Sequence, residues 1–560
     1  MNIRLIMKTA RSVTLELDDG GIYNTKELYR ILQNGEEVKR TDTVITSLYH
    51  LQPDTDYMIL VEDLHGATLG SFAFRTDRES FTLDVREFGA KGDGESDDTV
   101  CIQAAIMACP REGRVRIPEG TYRITSIFLK SGVNIELEKG AHIMAFTDRS
   151  KFAIFPGAIR STGKEILDQD ESELAPAADR SDVASRLNLS DSPGRGYPEP
   201  AVGAPGSQEL QLGTWEGDPQ KMFTGIVTGV DVSDVTIYGE GSIDGAASYE
   251  NWWKNEKVMV TAWRPRLLFL NHCKNVRVQG VLLHDSPSWT VHPYFCEQLL
   301  FSDFAIENPQ VSPNTDGIDP ESCRDVTICG IRFTLGDDCI AVKSGKIYMG
   351  RKYKTPSSNI HIYQCLMENG HGAVTVGSEM AGGVNGLVVE KCRFSHTDRG
   401  LRIKTRRGRG KDAVLDNIIF HDLEMDQVMS PFTANAFYFC DPDGRTEFVR
   451  SREKYPVDDG TPSMKRFYFE NIHAKDCHVA ALWFEGLPEQ KIEQIQMRNI
   501  EISFAADAKS DVPIMSEGVD ACSKKGVFVR NVKRLVLDNV KIEGCEGELF
   551  ELHDVDEVIH

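Results

Sequence analysis

No stretch of this 560-residue chain is long and apolar enough to span a bilayer. Near the N-terminus, Arg4, Lys8 and Arg11 flank only Leu5-Ile6-Met7, too short an apolar run for a secretory core. Cytoplasmic placement is therefore expected, with a secreted or periplasmic one if a leader has been removed. Positive charge is scarce. Lys and Arg number 63 against 85 Asp and Glu, and the net charge of −22 argues against nucleic acid or an anionic membrane as a partner for the surface as a whole. Clustered cysteine is lacking too: 13 cysteines, an odd number without close spacing, suit reduced thiols in a core better than a disulfide framework. Gly89-Ala90-Lys91-Gly92-Asp93-Gly94 has no following Lys-Ser/Thr, so it reads as a turn and not a phosphate loop. Charged and apolar fractions, 26% and 41%, are those of an ordinary globular protein.

A short repeat is present instead. From Val235 onward an apolar residue, an alternating run, a turn residue and a second apolar residue recur. Its anchors are Val276, Leu299, Val326, Ile360, Leu387, Ile418, Phe467, Ile495 and Leu535. Most lie roughly 23 to 34 residues apart, the spacing of a solenoid, and the period of two within each unit predicts strands. The fold class predicted is all-β: a right-handed parallel β-helix whose coils stack at about 4.8 Å.

Four motifs fall on this repeat: Asn314-Thr315-Asp316-Gly317, Gly336-Asp337-Asp338-Cys339, Gly370-His371-Gly372 and Arg402-Ile403-Lys404. Adjacent acids such as Asp337-Asp338 are by themselves usually a solvated turn. Counted from the anchors, Asp337 and His371 share one offset, and Asn314 and Arg402 share another. Residues at matching offsets on stacked coils share a face, so these groups should line one groove. Three clustered carboxylates cannot all ionise cheaply, which predicts a raised pKa for one of them; the sequence does not say which.

The ordered set resembles family 28 of the glycoside hydrolases, the polygalacturonases, from about Phe88 to the C-terminal region. Gly239-Glu240-Gly241-Ser242-Ile243-Asp244-Gly245 and Ser286-Pro287-Ser288-Trp289-Thr290-Val291-His292-Pro293 look most like its bacterial, exo-acting branch. The resemblance implies cleavage of α-1,4 bonds between galacturonate units, with Asp337 as general acid. Asp316 and Asp338 would hold the attacking water and invert the anomeric centre. It also implies that His371 tunes or orients the acid, and that no metal or cofactor takes part. Asn314, Arg402 and Lys404 would bind substrate, the two cations holding a galacturonate carboxylate. Trp215, within Trp215-Glu216-Gly217, and Tyr438 are further candidate substrate contacts. Trp289, Trp252, Trp253 and Trp263 are candidate stacking platforms, although core packing is the commoner role for each taken alone. Between Arg399 and Lys411 stand seven cations and no acid; Arg406, Arg407 and Arg409 in it are expected as a solvated basic turn. No aromatic residue is interleaved there, as single-stranded nucleic acid would require.

Residues 1–78 alternate differently. Ser12–Leu17 and Tyr57–Val61 read as strands of a small β-sandwich. Leu51-Gln52-Pro53-Asp54-Thr55-Asp56-Tyr57 resembles the tyrosine-corner segment of fibronectin type III modules, more readily a spacer or cap than a sugar-binding domain. Residues 79–84 are the expected linker and 85–560 the catalytic β-helix. Ser96 or Asp97 is expected to cap a helix through Val100, Ala104 and Met107 that covers the open end. The repeat lapses over about 155–222, a long excursion beside the groove. These two added segments could close one end of the groove, and a cytoplasmic enzyme would meet only imported oligomers; both favour attack from a chain end. Three alternatives stay open: a Ca²⁺-dependent pectate lyase, a non-catalytic polysaccharide-binding β-helix, and, within the family, action on xylogalacturonan or rhamnogalacturonan.

Overall fold

A computed structural model describes residues 1–157, 211–441 and 444–560, with the backbone of 165–166 and 197–198. Every repeat anchor meets its successor. Val276 pairs with Leu299, and so on through Val326, Ile360, Leu387, Ile418, Phe467, Ile495 and Leu535, all in parallel register. None of these side chains is more than 2% exposed. They form the inner row of a right-handed parallel β-helix, whose strands join in a 29-stranded sheet and a four-stranded one of Ile127–Phe128, Val227–Val230, Leu268–Asn271 and Val291–Tyr294. The residue before most anchors (Asn275, Gln298, Asp325, Asn359, Gly386, Asn417) has positive φ, which turns the chain at each corner into the strand.

Three ladders run the length of the helix. The first carries the anchors; the second is made of three-residue strands such as Arg332–Thr334 and Leu366–Glu368. The third stacks Val291–Tyr294, Asp338–Val342, Gly372–Val376, Arg399–Lys404 and Ser430–Asn435. All thirteen cysteines are free, nine of them buried. In the corners Cys296 and Cys323 accept backbone N–H groups from Cys273 and Cys296.

Two features of the entry to the solenoid differ from expectation. Thr82–Asp84 already pairs with Arg114–Arg116, so the first coil begins inside the expected linker. The helix spans Thr99–Ala108 and buries Ile102, Ala105 and Ile106, while Val100 and Met107 are 77% and 57% exposed. The buried face follows the i, i+3, i+4, i+7 spacing of Ile102, Ala105, Ile106 and Cys109. Asp98 stands at the N-cap; the Asp97 side chain accepts from the Thr99 N–H.

Residues 2–75 form two antiparallel sheets. One holds Asn2–Lys8, Val13–Asp18 and Ile45–Leu48; the other holds Glu36–Thr43, Asn24–Gln33, Asp56–Glu62 and Thr68–Arg75. Val13, Leu15, Leu17, Ile31, Ile59 and Val61 fill the space between them. The Tyr57 hydroxyl accepts the Gln52 N–H at 2.8 Å. This sandwich packs along the first ladder. Gln279 accepts from Ser12 and donates to Thr14 at 2.7 and 2.6 Å, and Gln364 accepts the Tyr23 N–H. Gly280 and Gly330, both at positive φ, make room for it: a Cβ there would lie 2.0 Å from the Tyr49 hydroxyl and 2.4 Å from Ile45 Cβ.

The excursion leaves the solenoid at Ile154–Phe155, which pairs with Met222–Phe223. Most of it, 158–210, lies outside the described residues. Thr214–Trp215 and Asp218–Pro219 form a small hairpin at its end.

Candidate active site

The third ladder explains why the motif residues meet. Ile318 bridges Ile340 and Asp338 pairs with Gly372, so Asp316 and Asp338 stand at equivalent places on consecutive coils. The His371 N–H donates to the Asp337 carbonyl at 3.0 Å, which puts those two residues in neighbouring positions as well. Asp316, Asp337 and Asp338 each offer an oxygen within 4.8 Å of the other two. Asp316 and Asp338 are buried; Asp337 is half-exposed at the groove.

The charges around the three carboxylates are unequal. Arg402 Nη1 and Lys404 Nζ donate to Asp338 Oδ1 and Oδ2 at 3.0 and 2.8 Å. Against the cost of burial, Lys404 and Arg402 hold Asp338 far below the usual carboxylate range, so it is ionised. Asp316 is pushed well above that range, first by burial and then by the charges of Asp337 and Asp319. The carboxyl with the raised pKa, which the sequence left unassigned, is therefore Asp316 in the substrate-free site. His371 Nδ1 lies 2.7 Å from Asp398 Oδ2. That bond, supported by the charge of Asp337, raises the imidazole's pKa.

A buried layer beneath the groove escaped the sequence reading. Lys343 Nζ lies 3.1 Å from Glu379, 3.5 Å from Asp319 and 3.7 Å from Asp316. Arg266, fully buried, donates to Ser288 Oγ and lies against Trp289 and Trp215. His292 Nε2 is 2.9 Å from Glu321. The signal in the sequence was polar residues at outward positions of otherwise apolar strands, as in Cys339-Ile340-Ala341-Val342-Lys343.

Several expected substrate contacts are corrected. Trp289 is 3% exposed, with Arg266 and Lys343 over its ring at 4.2 and 4.1 Å; it supports the charge layer and is no stacking platform. Trp215 is 4% exposed and stacks on Trp263 at 4.5 Å between centroids. Trp252 and Trp253 are buried in the core. Tyr438 is 9% exposed, with Lys404 5.9 Å from its ring centre, so it backs the cation instead of presenting a face. Asn314 is half-buried and its amide oxygen accepts from Arg264 at 2.8 Å. Arg406, Arg407 and Arg409 are not a solvated turn. All three are buried, Arg406 and Arg409 on Asp441, Arg407 on Glu489 and the carbonyls of Phe448, Ser451 and Glu453. Ion pairing with acids distant in sequence overrode the local run of cations.

One segment crosses the third ladder two coils beyond Asp338. Arg399 donates to the carbonyls of Val512 and Pro513, Asn435 to that of Met515, and Arg402 Nη2 to Met515 Sδ at 2.7 Å. Paired Asp511 and Cys522 close the base of this loop.

The three carboxylates form a donor set that a hard divalent cation could use. Lys343, Arg402 and Lys404 already surround them with three positive charges, which opposes a second cation. Asp244, His284 and Asp285 form another such group, as do Glu390, His421 and Asp422.

Residues 199–513, more than half of the chain, match the model of glycosyl hydrolases family 28. The chain belongs to that family. It is a glycoside hydrolase, and its residues 82–137 match a second model, rhamnogalacturonase A/epimerase, pectate lyase-like. Over 485 residues this family 28 enzyme is 27% identical to a probable polygalacturonase of Vitis vinifera, covering 82% of this chain and 85% of that one. It is 34% identical over 306 residues to a probable polygalacturonase of Arabidopsis thaliana, covering 54% and 59%. Among solved structures, the family 28 exopolygalacturonase of Yersinia enterocolitica superposes with a TM-score of 0.67 at 16% identity, covering 100% of this chain and 98% of that one. That likeness bears on the fold alone.

Proposed function

We propose that this enzyme hydrolyses α-1,4 bonds between galacturonate units of pectic chains. The observation that carries the reading is the meeting of three carboxylates with Arg402 and Lys404 in one groove. Acid–base cleavage of a glycoside needs one protonated and one ionised carboxyl, and a galacturonate neighbour needs a cation for its carboxylate. Asp337, the carboxyl nearest solvent, donates its proton to the glycosidic oxygen. Asp338, ionised by its two cations, activates the water, and Asp316, which holds its proton in the substrate-free site, joins it once that proton has passed to Asp337. Arg402 and Lys404 are partly exposed, 15% and 12%, so a substrate carboxylate can share them with Asp338. His371, oriented by Asp398, stands beside Asp337 and tunes its protonation or holds its geometry.

Acid and base carboxyls of inverting glycosidases are usually about 6.5–9.5 Å apart, with the water between them. This cluster is tighter, so the water is held by its inner pair while the bond lies over Asp337. Inversion is the reading adopted.

Exo action is supported by the loop at Met515. A polymer threading the groove past Arg402 would meet residues 512–517 two coils from the reacting carboxylates. The sandwich of residues 1–78 is read as a fibronectin type III-like spacer, on its seven strands and its tyrosine corner. Defined oligogalacturonates incubated with enzyme test all of this. Release of one or two units per event from the first time point supports the proposal, and an early ladder of mid-sized oligomers refutes the exo part. An unsaturated, UV-absorbing product would replace hydrolysis by elimination.

A further inference from the structure

Lys343 is the one cation that touches the buried side of the catalytic cluster among the described residues, and the proposed roles leave it unused. It follows Asp338–Val342 on the third ladder and is bridged to Glu321 on the coil before. From there its ammonium reaches back to Asp316 and Asp319 at 3.7 and 3.5 Å and forward to Glu379 at 3.1 Å, so it ties three consecutive coils together. The side chain is 4% exposed and sits 4.1 Å from the centre of the Trp289 ring. An ammonium removed from water survives only among anions and π-electrons, and this cage supplies both. It stays charged.

The position of that charge is asymmetric. It lies against Asp316, whereas Asp337 sits on the solvent side of the cluster. One proton distributed between Asp316 and Asp337 has two arrangements, and only the one with Asp337 protonated can serve the leaving group. Resting on the proposed function, we infer that Lys343 is a positioning residue: its ammonium biases the shared proton of the cluster away from Asp316 and onto Asp337. Burial, Asp337 and Asp319 all push Asp316 towards its neutral form, and Lys343 is the opposing influence. The other charged groups facing this centre are Asp338, whose charge also favours the ammonium, and Arg266, Glu321 and His292 below it. Glu379 competes with Asp316 for Lys343, and so sets how much of its charge Asp316 feels.

The test compares pH profiles of kcat and kcat/KM on one defined oligogalacturonate for the wild type, Lys343→Met, Lys343→Arg and Glu379→Gln. Lys343→Met should lower kcat by ~100-fold with little change in KM. Its acid limb should move to higher pH by about one unit, because Asp316 then holds its proton more tightly. Lys343→Arg should return the limb towards the wild-type position. Glu379→Gln should move the limb the other way, to lower pH, because more of the ammonium's charge then falls on Asp316. This variant decides the matter if Lys343→Met does not fold. Loss of kcat with unmoved limbs in both Lys343→Met and Glu379→Gln would make Lys343 a structural residue and overturn the inference. A wild type that leaves oligogalacturonate intact would instead overturn the proposed function, and this inference with it.

Discussion

Arg402 donates to Asp338 at 3.0 Å although 64 residues separate them in the chain. Two coils of the third ladder span that gap. The contact joins a cation expected only to bind substrate to a carboxylate expected only to activate water, so one substitution at either end should affect both binding and catalysis.

Asp337→Asn and Asp338→Asn should therefore differ. Both should lose at least ~1,000-fold in kcat, the range of a lost acid or base. Asp337 is half-exposed and makes no ion pair among the described residues, so its variant should unfold at the wild-type temperature. Asp338→Asn removes the one carboxylate to which both Arg402 and Lys404 donate, in a largely buried place, which should cost about 3 kcal/mol. Thermal denaturation of the two variants side by side checks the contrast; equal melting temperatures would refute it.

Stability should fall as pH rises from about 5 to 8. Burial raises Asp218 and Asp303 to about 6, Asp319 to about 7 and Glu321 to about 8, whereas unfolded carboxyls titrate near ~4. Between those values the folded chain holds more protons than the unfolded one, so raising the pH favours unfolding. His371, with a raised folded pKa, contributes stability below the unfolded value of ~6.5 that is lost as pH climbs through the folded one. Asp338 acts oppositely, but its stability is fully present above the unfolded carboxylate value and is lost only in strong acid. Differential scanning fluorimetry across this range should give a melting temperature lower at pH 8 than at pH 5 by roughly 5 °C.

If attack is from the chain end as proposed, shortening the Met515 loop should convert it into endo action. Residues 512–521 can be replaced by a two-residue turn between paired Asp511 and Cys522. The expected products are mid-sized oligomers at early times, with a rapid fall in polygalacturonate viscosity. Unchanged single-unit or two-unit release would remove the loop from the explanation of exo attack.

Proton NMR of the first turnover should show the β-anomer of the new reducing end, as inversion of an α-linkage requires. Chelator should leave the rate unchanged, given the three cations already around the carboxylates.

The solenoid was legible because its signal is redundant: nine anchors in one register each report the same inward row. The candidate site was legible only in part by counting: Asp337 and His371 share both offset and register, whereas Arg402 stacks through Thr375 and Ala341 over the position of Asp319 and not of Asn314, because the turns between strands differ in length from coil to coil. Trp289 and Tyr438 were not, because an aromatic near a groove looks the same in sequence whether it faces the sugar or backs a lysine. Arg406, Arg407 and Arg409 were misjudged for want of Asp441 and Glu489, partners that only the fold brings near. Val100 and Met107 fell on the wrong face because the spacing of Ile102, Ala105, Ile106 and Cys109 was the stronger periodic signal.

The two glycines under the N-terminal sandwich have a mechanical consequence. With Tyr49 and Ile45 seated where no side chain could stand at Gly280 and Gly330, the sandwich is splinted to the solenoid and does not swing from it. A sugar chain that touched it would be held at a set distance and angle from Asp337, so it could measure length but could not reel substrate in.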